Sequence, residues 1–116
     1  MKMGLLDKLR PPPPPEIVDE PDAGRFTIKV GGRRAGYSTY RRHDGTIAFR
    51  HTEIDPEFEG EGLGGQLVKA SLEQAREEGA AVLPFCPFVR EYIERHPDWL
   101  DLVPAERRQE FDLPSA

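Results

Sequence analysis

Asp44-Gly45 is the dipeptide that most narrows what this chain can fold into. A two-residue type I′ hairpin turn needs positive φ at both central residues, which Asp tolerates and Gly adopts freely, so this pair between two alternating runs predicts antiparallel neighbours. A strand over about Ala35 to Arg42 precedes it, and TIAFRHTEI follows it as another. Ahead of both, Phe26, Ile28 and Val30 alternate with polar residues and meet Gly31-Gly32, a second tight-turn pair. Three strands in an antiparallel meander are expected. In the third, period-two alternation puts Ile47, Phe49, His51 and Glu53 on one face, so His51 continues an apolar face.

The period then changes. Leu63, Leu67, Val68, Leu72 and Ala75 recur at helical spacing and Gly79 closes the run, which predicts a helix over about 62–78. AAVLPF is a short continuous apolar run, as in a strand buried on both faces. Pro87 suits a first helical position, and Pro97 ends the helix that FVREYIERH forms. AERRQEF leaves a short terminal helix as the expectation for the extension over 104–116. The fold class is therefore mixed α/β (α+β): an antiparallel strand meander followed by strand, glycine loop, helix, strand and helix.

A chain of 116 residues holds one compact domain. Five consecutive prolines, Pro11 to Pro15, and the acidic EIVDEPDAG after them mark residues 1–24 as a flexible proline-rich tail, with the domain over 25–103. The net charge of −5 argues against a general nucleic-acid or anionic-membrane binder. No apolar run approaches the roughly 18 to 20 residues that span a bilayer, and MKMGLLDKLR lacks the pattern of a secretory signal, so a cytoplasmic location is expected. Cys86 is the sole cysteine, which excludes an internal disulfide.

Two places could carry chemistry. Gly60, Gly62, Gly64 and Gly65 stand just before or at a helix start, where unpaired N–H groups and the helix dipole can hold an anion; the competing reading is an acidic turn in which Asp55, Glu57, Glu59 and Glu61 favour the dipole. Neither a dinucleotide fingerprint nor a P-loop is present. Cys86 falls between an apolar strand and Pro87. There a buried small hydrophobe competes with a helix-capping cysteine whose thiolate the dipole favours. His51 is a candidate general base, against a histidine satisfied on a half-buried strand. His43, His51 and His96 have no paired spacing, so no metal site is expected.

The order of elements, with IDPEF before the glycine loop and FCPFVREYIERHPDW after it, resembles the GCN5-related N-acetyltransferases over about Arg25 to Val103. EGEGLG at Glu59 to Gly64 is similar to the family's Q/R-x-x-G-x-G/A loop. His51-Thr52, Pro56, and the block of Cys86, Val89, His96, Pro97 and Trp99 resemble its small single-domain branch with a central cysteine. The resemblance implies a coenzyme A site, with the pyrophosphate on loop amides of Glu59, Gly60, Glu61, Gly62, Leu63, Gly64 and Gly65 and the pantetheine near Ile54. It also implies acetyl-CoA as cosubstrate and an unidentified amine or protein as acceptor. Transfer goes either by direct attack of the amine or through an acetylated Cys86. Glu59 departs from the family's Gln or Arg and puts a charge of the wrong sign beside a phosphate. A non-catalytic acyl-CoA-binding or protein-interaction module is the alternative that this departure keeps open.

Overall fold

The structure, a computed structural model, describes residues 14–115. MKMGLLDKLR and Pro11 to Pro13, the first part of the expected tail, lie outside the described residues. Five strands form one sheet in the order of the chain: β1 (Glu16–Glu20), β2 (Arg25–Val30), β3 (Arg33–His43), β4 (Thr46–Ile54) and β5 (Ala81–Pro84). Both turn signals hold, with φ of 47° at Asp44 and 76° at Gly45, and positive φ at Gly31 and Gly32. β1 to β4 are antiparallel, whereas β5 runs parallel to β4, a pairing that requires a crossover element.

That crossover is α1 (Leu63–Glu78), one residue shorter than expected at its start. Its apolar face of Leu67, Val68, Leu72 and Ala75 packs on Phe26, Ile28, Ile47 and Phe49, all essentially inaccessible. Gly79 takes φ of 70° and closes it through an N–H donated to the Ala75 and Arg76 carbonyls. Beside α1 lies α2 (Pro87–Arg95), which buries Val89 and Ile93. A 3-10 stretch over Pro97–Leu102 follows, and the expected terminal helix is instead two separate 3-10 turns, Ala105–Arg107 and Gln109–Phe111. No helix among the described residues is long and apolar enough to cross a membrane.

Two sequence expectations need correction here. Glu16–Glu20, assigned to the tail, is the edge strand β1, paired in full register from Glu16 opposite Lys29 to Glu20 opposite Arg25. Its acids hid it, yet two of them have partners: Arg25 Nε donates to Glu20 Oε1 at 3.0 Å and Arg42 Nη2 to Asp19 Oδ2 at 3.0 Å. A charged edge strand also discourages pairing with further chains. β5 is the second correction, since Val82 and Pro84 are buried but Ala81 and Leu83 only partly, so one face of this strand stays thinly covered.

His51 does not continue the apolar face. Thr39 pairs with His51 and Tyr40 with Phe49, leaving Arg50 as an extra residue in β4. Such a bulge shifts the alternation by one. Ile47 and Phe49 face the helices before it, Thr52 and Ile54 after it, and His51 and Glu53 turn to the opposite, exposed face. The period-two argument had no signal for the insertion.

Candidate functional site

Beyond Phe49 and Pro84 the ladder between β4 and β5 ends. Its last link is the Cys86 N–H donated to the Phe49 carbonyl at 2.9 Å. Among the described residues, the far half of β4 therefore has β3 along one edge and no strand along the other. On the helix side of this opening is a cleft of about 350 Å³ lined by Thr52, Ile54, Phe58, Glu59, Gly60, Gly62, Leu63, Gly64, Gly65 and Phe88. Ile54 and most of the glycine loop thus meet in one place.

At the mouth of the cleft, α1 begins with unspent donors. Gly62 is its N-cap in the left-handed region at φ 74°, no side chain caps it, and the first helical bond runs from Gln66 N–H to the Gly62 carbonyl. The N–H groups of Gly62, Leu63, Gly64 and Gly65 consequently have no intrahelical acceptor and carry the positive end of the dipole. Gly64 is needed for packing as well, because a Cβ there would stand 2.5 Å from the Phe88 ring. The four acids do not cap this helix. Glu57 pairs with Arg33, Glu59 and Glu61 are exposed, and Glu59 borders the cleft while its own N–H is donated to the Pro56 carbonyl at 3.3 Å. Glu59 therefore contributes a side chain to the rim and no amide.

A second groove, of about 510 Å³, continues from the same glycines between α1 and α2. It shares Gly62, Gly65 and Phe88 with the first and adds Gln66, Lys69, Glu91, Tyr92, Arg95 and His96. Tyr92 stacks on His96 at 4.1 Å, and burial, aided by the charge of Glu73, pushes its phenol up, so it remains a neutral hydroxyl. Lys69, Phe88 and Arg95 are site residues that the sequence reading does not single out. A signal existed, since Gly62, Gly65, Gln66 and Lys69 are spaced to share one helix face.

Cys86 and His51 are not brought together. Cys86 is the N-cap residue of α2, but its thiol does not cap; Sγ donates to Thr52 Oγ1 at 3.4 Å, and the residue is 2% exposed. Thr52 Oγ1 lies 2.9 Å from Ser38 Oγ. The resulting row of Ser38, Thr52 and Cys86 runs behind the cleft wall, of which only Thr52 is part. His51 projects from the other face of β4, 59% exposed, with Nε2 at 3.9 Å from Glu53 Oε1. Tyr37 OH donates to Glu53 Oε2 at 2.8 Å, which raises the tyrosine's pKa. His96 Nδ1 sits 2.9 Å from the Tyr92 carbonyl at the end of α2.

The arrangement is a bent cleft whose corner is a helix N-terminus, with one arm along a bare strand edge and one between two helices. That shape suits an extended ligand with an anionic middle. A family model described as GCN5-related N-acetyl-transferase matches residues 25–102. The chain is similar to the solution NMR structure of a GCN5-like N-acetyltransferase candidate from Staphylococcus aureus, at 28% identity and a TM-score of 0.59, over 77% of this chain and 87% of that one. No curated protein matches the sequence.

Proposed function

Since this chain belongs to the GCN5-related N-acetyltransferase family, we propose that it binds acetyl-CoA in the bent cleft and transfers the acetyl group to an amine. The observation that carries this reading is the set of unspent N–H groups at Gly62 to Gly65, placed where the two arms of the cleft meet. These donors hold the pyrophosphate without a side chain. From there the pantetheine lies along the bare edge of β4 past Ile54 and Thr52, and the nucleotide end lies over the α1–α2 groove, where Lys69 and Arg95 meet its phosphate charge.

The thioester then sits where β4 and β5 part. Backbone N–H groups on the unpaired edge of β4 are suited to the oxygen that becomes negative as the carbonyl is attacked. The acceptor's neutral nitrogen forms a bond to the carbonyl carbon while the C–S bond breaks. One amine proton passes to a base on the outer face, with His51 and Glu53 in position to accept it, and the departing thiolate is reprotonated to free CoA. Transfer by way of Cys86 is a second reading, favoured by one contact: its thiol touches Thr52, part of the cleft wall. In that route the acetyl carbon bonds to Sγ as its bond to the CoA sulfur breaks, the Cys86 proton going to the departing CoA thiolate; the amine then bonds to the same carbon as the Sγ–C bond breaks, and its proton returns to Sγ.

Calorimetric titration with CoA tests the cofactor reading. Binding in the micromolar range is expected, and none at millimolar ligand overturns it. Incubation with acetyl-CoA followed by intact mass separates the two routes. Direct transfer leaves the protein mass unchanged and leaves turnover intact in Cys86→Ala; the cysteine route adds one acetyl group that this variant lacks. Binding without turnover over a broad amine panel would assign the chain to the non-catalytic alternative.

A further inference from the structure

On the face of the sheet opposite the bent cleft, at the same point where β4 and β5 part, lies a second opening lined by Arg41, Ala48, Arg50 and Phe85. The bulge creates it. Arg50 is the extra residue of β4, and Ala48 alternates with the buried Ile47 and Phe49, so both project away from α1. Arg41 is paired with Ala48 across the β3–β4 ladder. Phe85, between the end of β5 and Cys86, is 50% exposed, and Phe111 props it edge-on with ring centroids 5.0 Å apart. The opening holds about 510 Å³.

Among the described residues its charges have no counterpart. Most arginines on this protein are engaged: Arg25 with Glu20, Arg33 with Glu57, Arg42 with Asp19 and Glu78, Arg76 with Asp101, Arg107 with Glu110. Among the described residues, Arg41 and Arg50 form neither an ion pair nor a side-chain hydrogen bond. Arg34 and Arg95 are likewise without an ion pair among the described residues, but Arg41 and Arg50 share one opening with an exposed ring, in a chain of net charge −5. Glu53, an acid on the same face of β4, is held by Tyr37.

We infer that this opening is the acceptor subsite and that it selects an amine whose skeleton also carries an anionic group, a carboxylate or a phosphate, together with an apolar portion. The inference rests on the proposed acetyl-CoA reading. Arg41 and Arg50 take the anion, since guanidinium forks match carboxylate and phosphate oxygens. Phe85 receives the apolar portion. The amine then reaches the gap between β4 and β5 from the side opposite the cofactor, next to His51. Acceptors with a second positive charge are repelled at the same two residues.

Turnover, followed by thiol release from acetyl-CoA, distinguishes the possibilities with four acceptors: L-phenylalanine, O-phosphoethanolamine, tyramine and spermidine. Either anionic amine should show a KM at least about tenfold below those of tyramine and spermidine, since charge-assisted hydrogen bonds supply that order of discrimination. The phenylalanine and phosphoethanolamine arms tell carboxylate from phosphate. In Arg41→Ser/Arg50→Ser, whose positions are both exposed, that KM should rise about tenfold with kcat, tyramine turnover and calorimetric acetyl-CoA affinity unchanged. Preference for spermidine, equal use of all four, no turnover by a protein that binds acetyl-CoA, or an unaltered KM in the double variant would each overturn the subsite. Loss of acetyl-CoA binding in the parent protein would instead overturn the cofactor reading beneath it.

Discussion

Glu59 is where residue chemistry and cofactor chemistry pull in opposite directions. Its carboxylate borders the cleft a few residues from the amides assigned to the pyrophosphate. Glu59→Gln removes that charge and should tighten CoA binding several-fold at low salt, an effect that shrinks as ionic strength rises because exposed charges are screened over roughly 10 Å. Calorimetry at two salt concentrations checks it, and an unchanged affinity places the carboxylate out of reach. Tyr40 offers a pH test of the core. Burial, with a hydrogen bond to Asp19, pushes its phenol up to about 12. A phenol ionising later in the folded than in the unfolded state leaves stability intact below about pH 10 and removes it as pH climbs toward 12, by about 1.4 kcal/mol per unit. Thermal denaturation between pH 9 and 12 should show this slope in the parent and a shallower one in Tyr40→Phe.

Elements were legible where turn chemistry or periodicity left a mark, and illegible where charge or an insertion masked it. Asp44-Gly45 fixed the β3–β4 hairpin, and β2, β4 and both helices lie within a residue or two of their expected bounds. β1 was invisible because Glu16, Asp19 and Glu20 read as solvated tail, while the partners of Glu20 and Asp19, Arg25 and Arg42, lie elsewhere in the sequence. The glycine loop was found, but its second arm was not, since nothing local links Lys69 on α1 to Arg95 on α2. His51 was placed on the wrong face for want of one residue's worth of register. Arg42 joins three of these elements, donating to Asp19 of β1 and to Glu78 at the end of α1 at 2.8 Å, while its guanidinium lies over the Tyr40 ring. Its side chain is about one-third exposed, so Arg42→Ala should cost on the order of 1 kcal/mol, read as a lower urea midpoint at unchanged m-value. Faster amide exchange confined to β1 should accompany it.

At the scale of the whole molecule, one sheet carries its helices on one side and leaves Tyr37, Thr39, Arg41, Arg50, His51 and Glu53 on the other, all but the first two exposed. A ligand spanning both arms of the cleft would tie α1, α2 and β4 together. Acetyl-CoA at a hundred times its dissociation constant should stabilise the fold by about 2.7 kcal/mol, an upward shift in Tm on the order of 10 °C. Differential scanning fluorimetry at several ligand concentrations measures this, and a flat response counts against cofactor binding. The bulge at Arg50 has a further consequence for how such a protein can diverge. Because that single inserted residue sends positions 48, 50, 51 and 53 to one face and 52 and 54 to the other, mutations in the first group can accumulate without disturbing what the second holds. A lineage built on this strand can vary the face proposed to take the acceptor while keeping the face proposed to grip the cofactor.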